Sequence, residues 1–212
     1  MVETFMIVRQ LEIRDYDQVE KIYYLSLESS DRIKIKKNIP MPDSKLREEM
    51  TLRWLTAIKK MYLNPQDLDH ILFGVFDGDK LLSYVGIRLD LPKDYQDGWV
   101  VSWLKGDPSV DQIMNGALRM LWIHMFDYCE QLGKIKWHTI VDKERHSAFD
   151  AFGRRAVPEI NDRYNFYTLC DIPPDTKPDL EWAWAMMGRQ LQSTHMIVRT
   201  GVLKSHVVDS QS

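Results

Sequence analysis

Cysteine is almost missing from this chain: two in 212 residues, Cys129 and Cys170, with no C-x-x-C spacing and no clustering of Cys with His. That excludes a disulfide framework and a structural zinc site from the reading, and leaves two buried, reduced thiols. No apolar run approaches the ~20 residues of a membrane helix, and the N-terminus lacks the basic-then-apolar order of a signal peptide. A cytoplasmic location is therefore expected, without a membrane partner. Charge of one sign is not in excess either: 28 Lys and Arg face 31 Asp and Glu, a net −3, which does not favour nucleic acid. There is no repeat at a fixed period and no low-complexity tract. Between residues 98 and 133, where a strand leads into a helix, the glycine-rich loop that would cradle a phosphate is also absent.

What is present is an ordinary globular composition, 44% hydrophobic and 28% charged, on a length that suits one core. One domain over residues 1–204 is expected, with 205–212 as a flexible tail. Residues 5–11 read as a strand, and Asp15 with Gln18 three residues on reads as the cap of a helix that turns Val19, Ile22, Tyr23 and Leu27 inward. Residues 31–42 mix Arg32, Lys34, Lys36 and Lys37 with isoleucines and two prolines, and read as an exposed loop. A second helix starts at Asp43 or Ser44 and ends at Asn64-Pro65.

Residues 70–89 form the plainest hairpin, two apolar runs joined by Asp77-Gly78-Asp79-Lys80. The run GWVVSWL gives the next strand. Asp107-Pro108 then reads as a helix start, because Asp caps free amides and Pro suits the first helical position. That helix carries Met114, Ala117, Leu118, Leu121, Met125, Cys129 and Leu132 on one face and stops at Gly133. A strand over 135–141, a helix over 144–156, a strand over 164–170, a tryptophan-bearing helix over 179–191 and a closing strand over 195–202 complete the chain.

This order and spacing, with the stretches IVRQLEIRDYDQVEKIY and VDKERHSAFDAFGRRAV, resemble the GNAT acetyltransferase fold across residues 5–202. The resemblance implies an α/β (α+β) fold, a mixed, mostly antiparallel central sheet flanked by helices on both faces. It also implies acetyl-CoA or another acyl-CoA as cofactor and a small-molecule amine or a protein as acceptor. GNAT enzymes receive the pyrophosphate of coenzyme A on a Q/R-x-x-G-x-G/A loop at a helix N-terminus. Here the segment is KGDPSVDQIMNGALRML, in which Asp107 would cap an amide and repel phosphate, Pro108 lacks an amide, and only Lys105 and Gly106 look hospitable. Phe152 stands where many members carry a tyrosine that protonates the leaving thiolate, and Ala156-Val157 replace the Gly-Phe pair after it.

Candidate site residues come from that layout. The backbone of the strand holding Ser102, Trp103 and Leu104, with Lys105 and Gly106 after it, would bind the pantetheine arm. His138 is the candidate base, against the simpler reading of a structural histidine. Tyr164 and Tyr167, expected on one face of a strand, are candidates to replace the missing tyrosine acid, against ordinary packing. Asp94, Asp97 and Asp107 have turn and cap roles that explain them, as solvation explains Lys34, Lys36 and Lys37. No metal ligands are expected. Trp122 and His124 suggest a large core or an oligomer contact, and Trp182 and Trp184 a partner surface. Two functions stand side by side: an N-acyltransferase, which requires the strands at 99–104 and 135–141 to open apart, and a non-catalytic binding module, which requires an exposed apolar patch at 182–187 or a homodimer through the closing strand.

Overall fold

The computed structural model describes residues 6–36, 38, 43–91, 96–112, 116–142, 157–168 and 196–206. The helices expected at 144–156 and 179–191, and with them Phe152, Trp182 and Trp184, lie outside those residues, as does Asp94. The chain divides into two compact units, Met1–Ile87 with Trp103–Leu121, and Arg88–Ser102 with Trp122–Ser212.

The first unit opens with strand β1 (Met6–Gln10) and helix α1 (Tyr16–Lys36). Asp15 organises the junction: its carboxylate accepts the Glu12 amide at 2.9 Å and a two-pronged pair from Arg9 at 2.7 and 2.8 Å. Val19, Ile22 and Tyr23 follow at helical spacing and are buried. The helix runs to Lys36, where a loop was expected from residue 31. Arg and Lys are good helix formers and no proline intervenes before Pro40, so the charged stretch continues the helix on its solvent side. Asn38 ends it in the left-handed region, φ 53.

Helix α2 (Ser44–Ala57) starts where Asp43 accepts the Lys45 amide and continues as a wider π turn, Ile58–Tyr62. Strand β2 (His70–Asp77) pairs antiparallel with β1 from Met6↔Asp77 to Gln10↔Phe73. Strand β3 (Lys80–Arg88) returns through the expected turn, with Gly78 at φ 58. Gln18 of α1 pins that turn, its carbonyl accepting the Leu81 amide at 2.8 Å and its amide donating to the Asp79 carbonyl at 3.2 Å. Leu11, Val19, Ile22, Leu55, Ile58, Leu72, Phe76 and Tyr84 make the buried core of this unit.

The second unit contains the start of strand β4 (Gly98–Gly106), most of helix α3 (Ala117–Gln131), strand β5 (Lys136–Asp142), a short helix α4 (Pro158–Arg163), and strands β6 (Tyr164–Thr168) and β7 (Met196–Leu203). Its strands follow the order β4-β5-β7-β6, and those of the first unit β1-β2-β3-β4, so β4 belongs to both. β5 pairs with β7 antiparallel over its whole length, Lys136↔Val202 to Asp142↔Met196, and β7 pairs with β6. The sheet is thus mixed and mostly antiparallel. Its core here is aromatic: Phe126 meets Trp99 at 5.0 Å, Trp137 at 5.4 Å and Tyr164 at 4.9 Å between ring centroids, edge to face. Such pairs add roughly 0.5–1.5 kcal/mol each beyond area burial.

Candidate functional site

Strand β4 is the element on which the site is built. It pairs parallel with β5 at Gly98↔Lys136, Trp99↔Trp137 and Val100↔His138, and the register ends there. β5 continues to Asp142 on β7 while β4 continues to Gly106. Seven ladder positions with β7 hold β5 in its own course, so the two strands part. Residues 101–106 of β4 thereby have no β5 rung among the described residues, and their backbone amides and carbonyls on that edge are offered to a partner with matching groups. Leu104, Lys105 and Gly106 are half-buried, and Lys105 Nζ lies 5.2 Å from the Tyr23 ring centre. Ser102 and Trp103 are in the strand, their side chains outside the described residues.

Beyond β4 the chain departs from the expectation. α3 begins at Ala117, not at Asp107-Pro108. The Asp-Pro pair makes a turn instead: Asp107 Oδ1 accepts the Ser109 amide at 2.9 Å and its hydroxyl at 2.6 Å, while Lys80 Nζ lies 2.9 Å from Oδ2. Burial raises the Asp107 pKa, but Ser109 and Lys80 outweigh it and leave the group at about 2. Its carboxylate is therefore spent on its own turn and on Lys80, and neither Asp107 nor Pro108 stands in the first turn of α3.

The segment that does lead into α3 is Gln112 to Ala117, QIMNGA. Set against Q/R-x-x-G-x-G/A it keeps the Gln and the closing Ala and carries Asn115 where the first glycine is expected. Gln112 is fastened on both sides, its Nε2 donating to the Leu82 carbonyl at 2.9 Å and its own carbonyl accepting the Leu118 amide at 3.1 Å. Gly116 has φ 78, and a Cβ there would meet nothing within 4 Å. The Asn-Gly dipeptide was the available signal for this turn; the stronger Asp-Pro signature upstream hid it.

The proposed acid and base candidates are less accessible than the backbone. His138 is 2% exposed, and burial, with Lys136 adding repulsion, lowers its pKa to about 3. Tyr164 is 1% exposed and donates its hydroxyl to Glu130 Oε1 at 2.9 Å; burial and that carboxylate raise its pKa. Arg163 joins the same network, pairing with Glu130 and with Asp127. Tyr167 opposes Thr200 in the β6–β7 ladder. Positions three apart on a strand alternate sides, so Tyr164 and Tyr167 do not share a face as expected.

The remaining candidates have structural surroundings. Asp97 lies 3.4 Å from Lys136, and its carbonyl accepts the Ile135 and Lys136 amides. Trp122 is buried against Phe126 and Trp137, and His124 is half-buried, its pKa lowered by burial. Among the described residues, no group of three His, Cys, Asp or Glu is placed to hold a metal, and no helix is long and apolar enough to cross a membrane.

The solved structures similar to this chain include the PaiA N-acetyltransferase of Thermoplasma acidophilum in complex with coenzyme A, at TM-score 0.57 and 11% identity over 92% of this chain and 98% of that one. An acetyltransferase from Thermus thermophilus matches at TM-score 0.53 and 12% identity, over 93% and 97%. The ribosomal-protein-S18-alanine N-acetyltransferase of Escherichia coli matches at TM-score 0.52 and 13% identity, over 98% and 99%. No protein-family model matches the chain, and no curated protein matches it in sequence. The fold of this chain is that of the GNAT acetyltransferases.

Proposed function

We propose that this GNAT-fold chain is an acyl-CoA-dependent N-acyltransferase working with an altered pyrophosphate loop. The observation that carries the reading is the departure of β4 from β5 after Val100, followed by a glycine turn that opens α3. The residues suit the cofactor. Backbone groups of 101–106, including Ser102, Trp103, Leu104, Lys105 and Gly106, match the amides of a pantetheine arm. Gly116 leaves open space ahead of α3, whose N-terminal end carries partial positive charge. The coenzyme A complex of the Thermoplasma protein supports the same cofactor class here.

Bound acyl-CoA supplies an acyl carbon activated as a thioester. The chain's own contribution is then positioning and a backbone hydrogen bond to the carbonyl oxygen as negative charge develops on it. A base on a side chain is not required if the acceptor amine reaches the site neutral and passes its proton to water. That suits a site where His138 is buried with a pKa near 3. Tyr167 remains the candidate proton donor to the departing thiolate.

The test is release of free thiol from acetyl-CoA in the presence of a panel of primary amines and amine-bearing peptides. The reading expects amine-dependent turnover that rises with pH as the acceptor deprotonates, and a kcat lowered about tenfold or more in Tyr167→Phe if that residue is the acid. Acetyl-CoA binding without turnover on any amine would favour the non-catalytic binding module, a reading that the burial of both His138 and Tyr164 supports.

A further inference from the structure

The turn between β4 and α3 places a carboxylate close to where the acyl-CoA reading puts a pyrophosphate. Asp107 donates its backbone amide to the Leu82 carbonyl at 2.8 Å, and Gln112 Nε2 donates to that same carbonyl at 2.9 Å and to the Asp107 carbonyl at 3.3 Å. The Gln112 carbonyl in turn accepts the Leu118 amide in the first turn of α3. Two hydrogen-bonded steps thus join Asp107 to the helix end, within about a Debye length at ordinary salt. An uncompensated carboxylate there would repel phosphate. Lys80, the first residue of β3, sets its ammonium 2.9 Å from Asp107 Oδ2 and remains largely exposed.

Building on that reading, we propose that Lys80 is a positioning residue for the cofactor, cancelling the charge of Asp107 so that the turn leading into α3 can accept the phosphates of an acyl-CoA. The role is electrostatic, and it explains how a chain with an aspartate beside its cofactor loop keeps a phosphate site. Asp107 is retained for the turn itself, through Ser109, and Lys80 removes the cost of its charge to the ligand.

The two sides of the pair separate this role from that of a simple staple. With acetyl-CoA as the probe in isothermal titration at low salt, Lys80→Met should weaken binding on the order of tenfold, and Lys80→Arg should restore it. Asp107→Asn keeps an oxygen for Ser109 but drops the charge, and should tighten binding by a similar factor. The double variant should bind within a few-fold of the unaltered chain, and all differences should shrink at 0.5 M salt, a concentration at which the screening length falls to roughly 4 Å. If both single variants weaken binding and the double is no better, the pair is a structural staple and the proposal is overturned. If the unaltered chain itself shows no acetyl-CoA binding, the acyl-CoA reading fails first, and this inference with it. Melting of the ligand-free variants reports whether any of them is unfolded.

Discussion

His138 and Gly201 sit opposite each other's neighbours in the β5–β7 ladder, and each gives a residue-scale prediction. The folded protein holds His138 neutral with its pKa lowered to about 3, against 6.5 for an ordinary histidine. Between those values the unfolded chain binds the extra proton, so stability falls as pH drops from about 6.5 toward 3. At pH 5 this loss is roughly 1–2 kcal/mol. Urea unfolding at pH 7 and pH 5 should show it, and His138→Gln should flatten the slope; His124, also lowered by burial, contributes the remainder. The depressed carboxylates Asp15 and Asp107 lose their contribution only at lower pH, so they leave this window clear. Gly201 is fixed by contact: an added Cβ would lie 1.9 Å from Trp137 Nε1. Gly201→Ala should cost about 1–3 kcal/mol, read as a lower urea midpoint. The sequence marked His138 as a candidate base because alternation on a strand does not say which face is buried, and it was silent on Gly201 because the clash involves a tryptophan on another strand.

At the scale of elements, the β2–β3 hairpin was legible because Asp77-Gly78 specifies its turn locally, and the register with β1 only confirms it. The start of α3 was not legible from Asp107-Pro108, since an aspartate that accepts amides two residues on makes a turn as readily as it caps a helix. Lys80, a residue of another strand, settles which outcome wins. The long α1 was missed for the opposite reason: scattered lysines look like a loop until the helix beneath them is known. The consequence for the site lies at Gly116. Its φ of 78 disfavours any other residue, although space beside it is open. Gly116→Ala should therefore lower stability by roughly 1 kcal/mol through backbone strain. The same variant should weaken acetyl-CoA binding, which a stability change alone would not do, and titration at a temperature well below unfolding separates the two effects.

For the whole molecule, element order and spacing carried the fold across 11–13% identity to solved acetyltransferases, because burial patterns survive substitutions that erase loop motifs. The site was legible only as far as its backbone strand. A pantetheine arm is held by amides and carbonyls, which every residue supplies, whereas the phosphate loop depends on where a helix begins. The most direct measurement is thermal unfolding of the protein with acetyl-CoA, compared with free coenzyme A and ATP. At about a hundred times the dissociation constant, bound acetyl-CoA should add roughly 2.7 kcal/mol and raise the midpoint by about 5–10 °C, with ATP giving much less. No shift at millimolar acetyl-CoA, or an equal shift with ATP, would contradict the account that β4 and the turn into α3 form an acyl-CoA site.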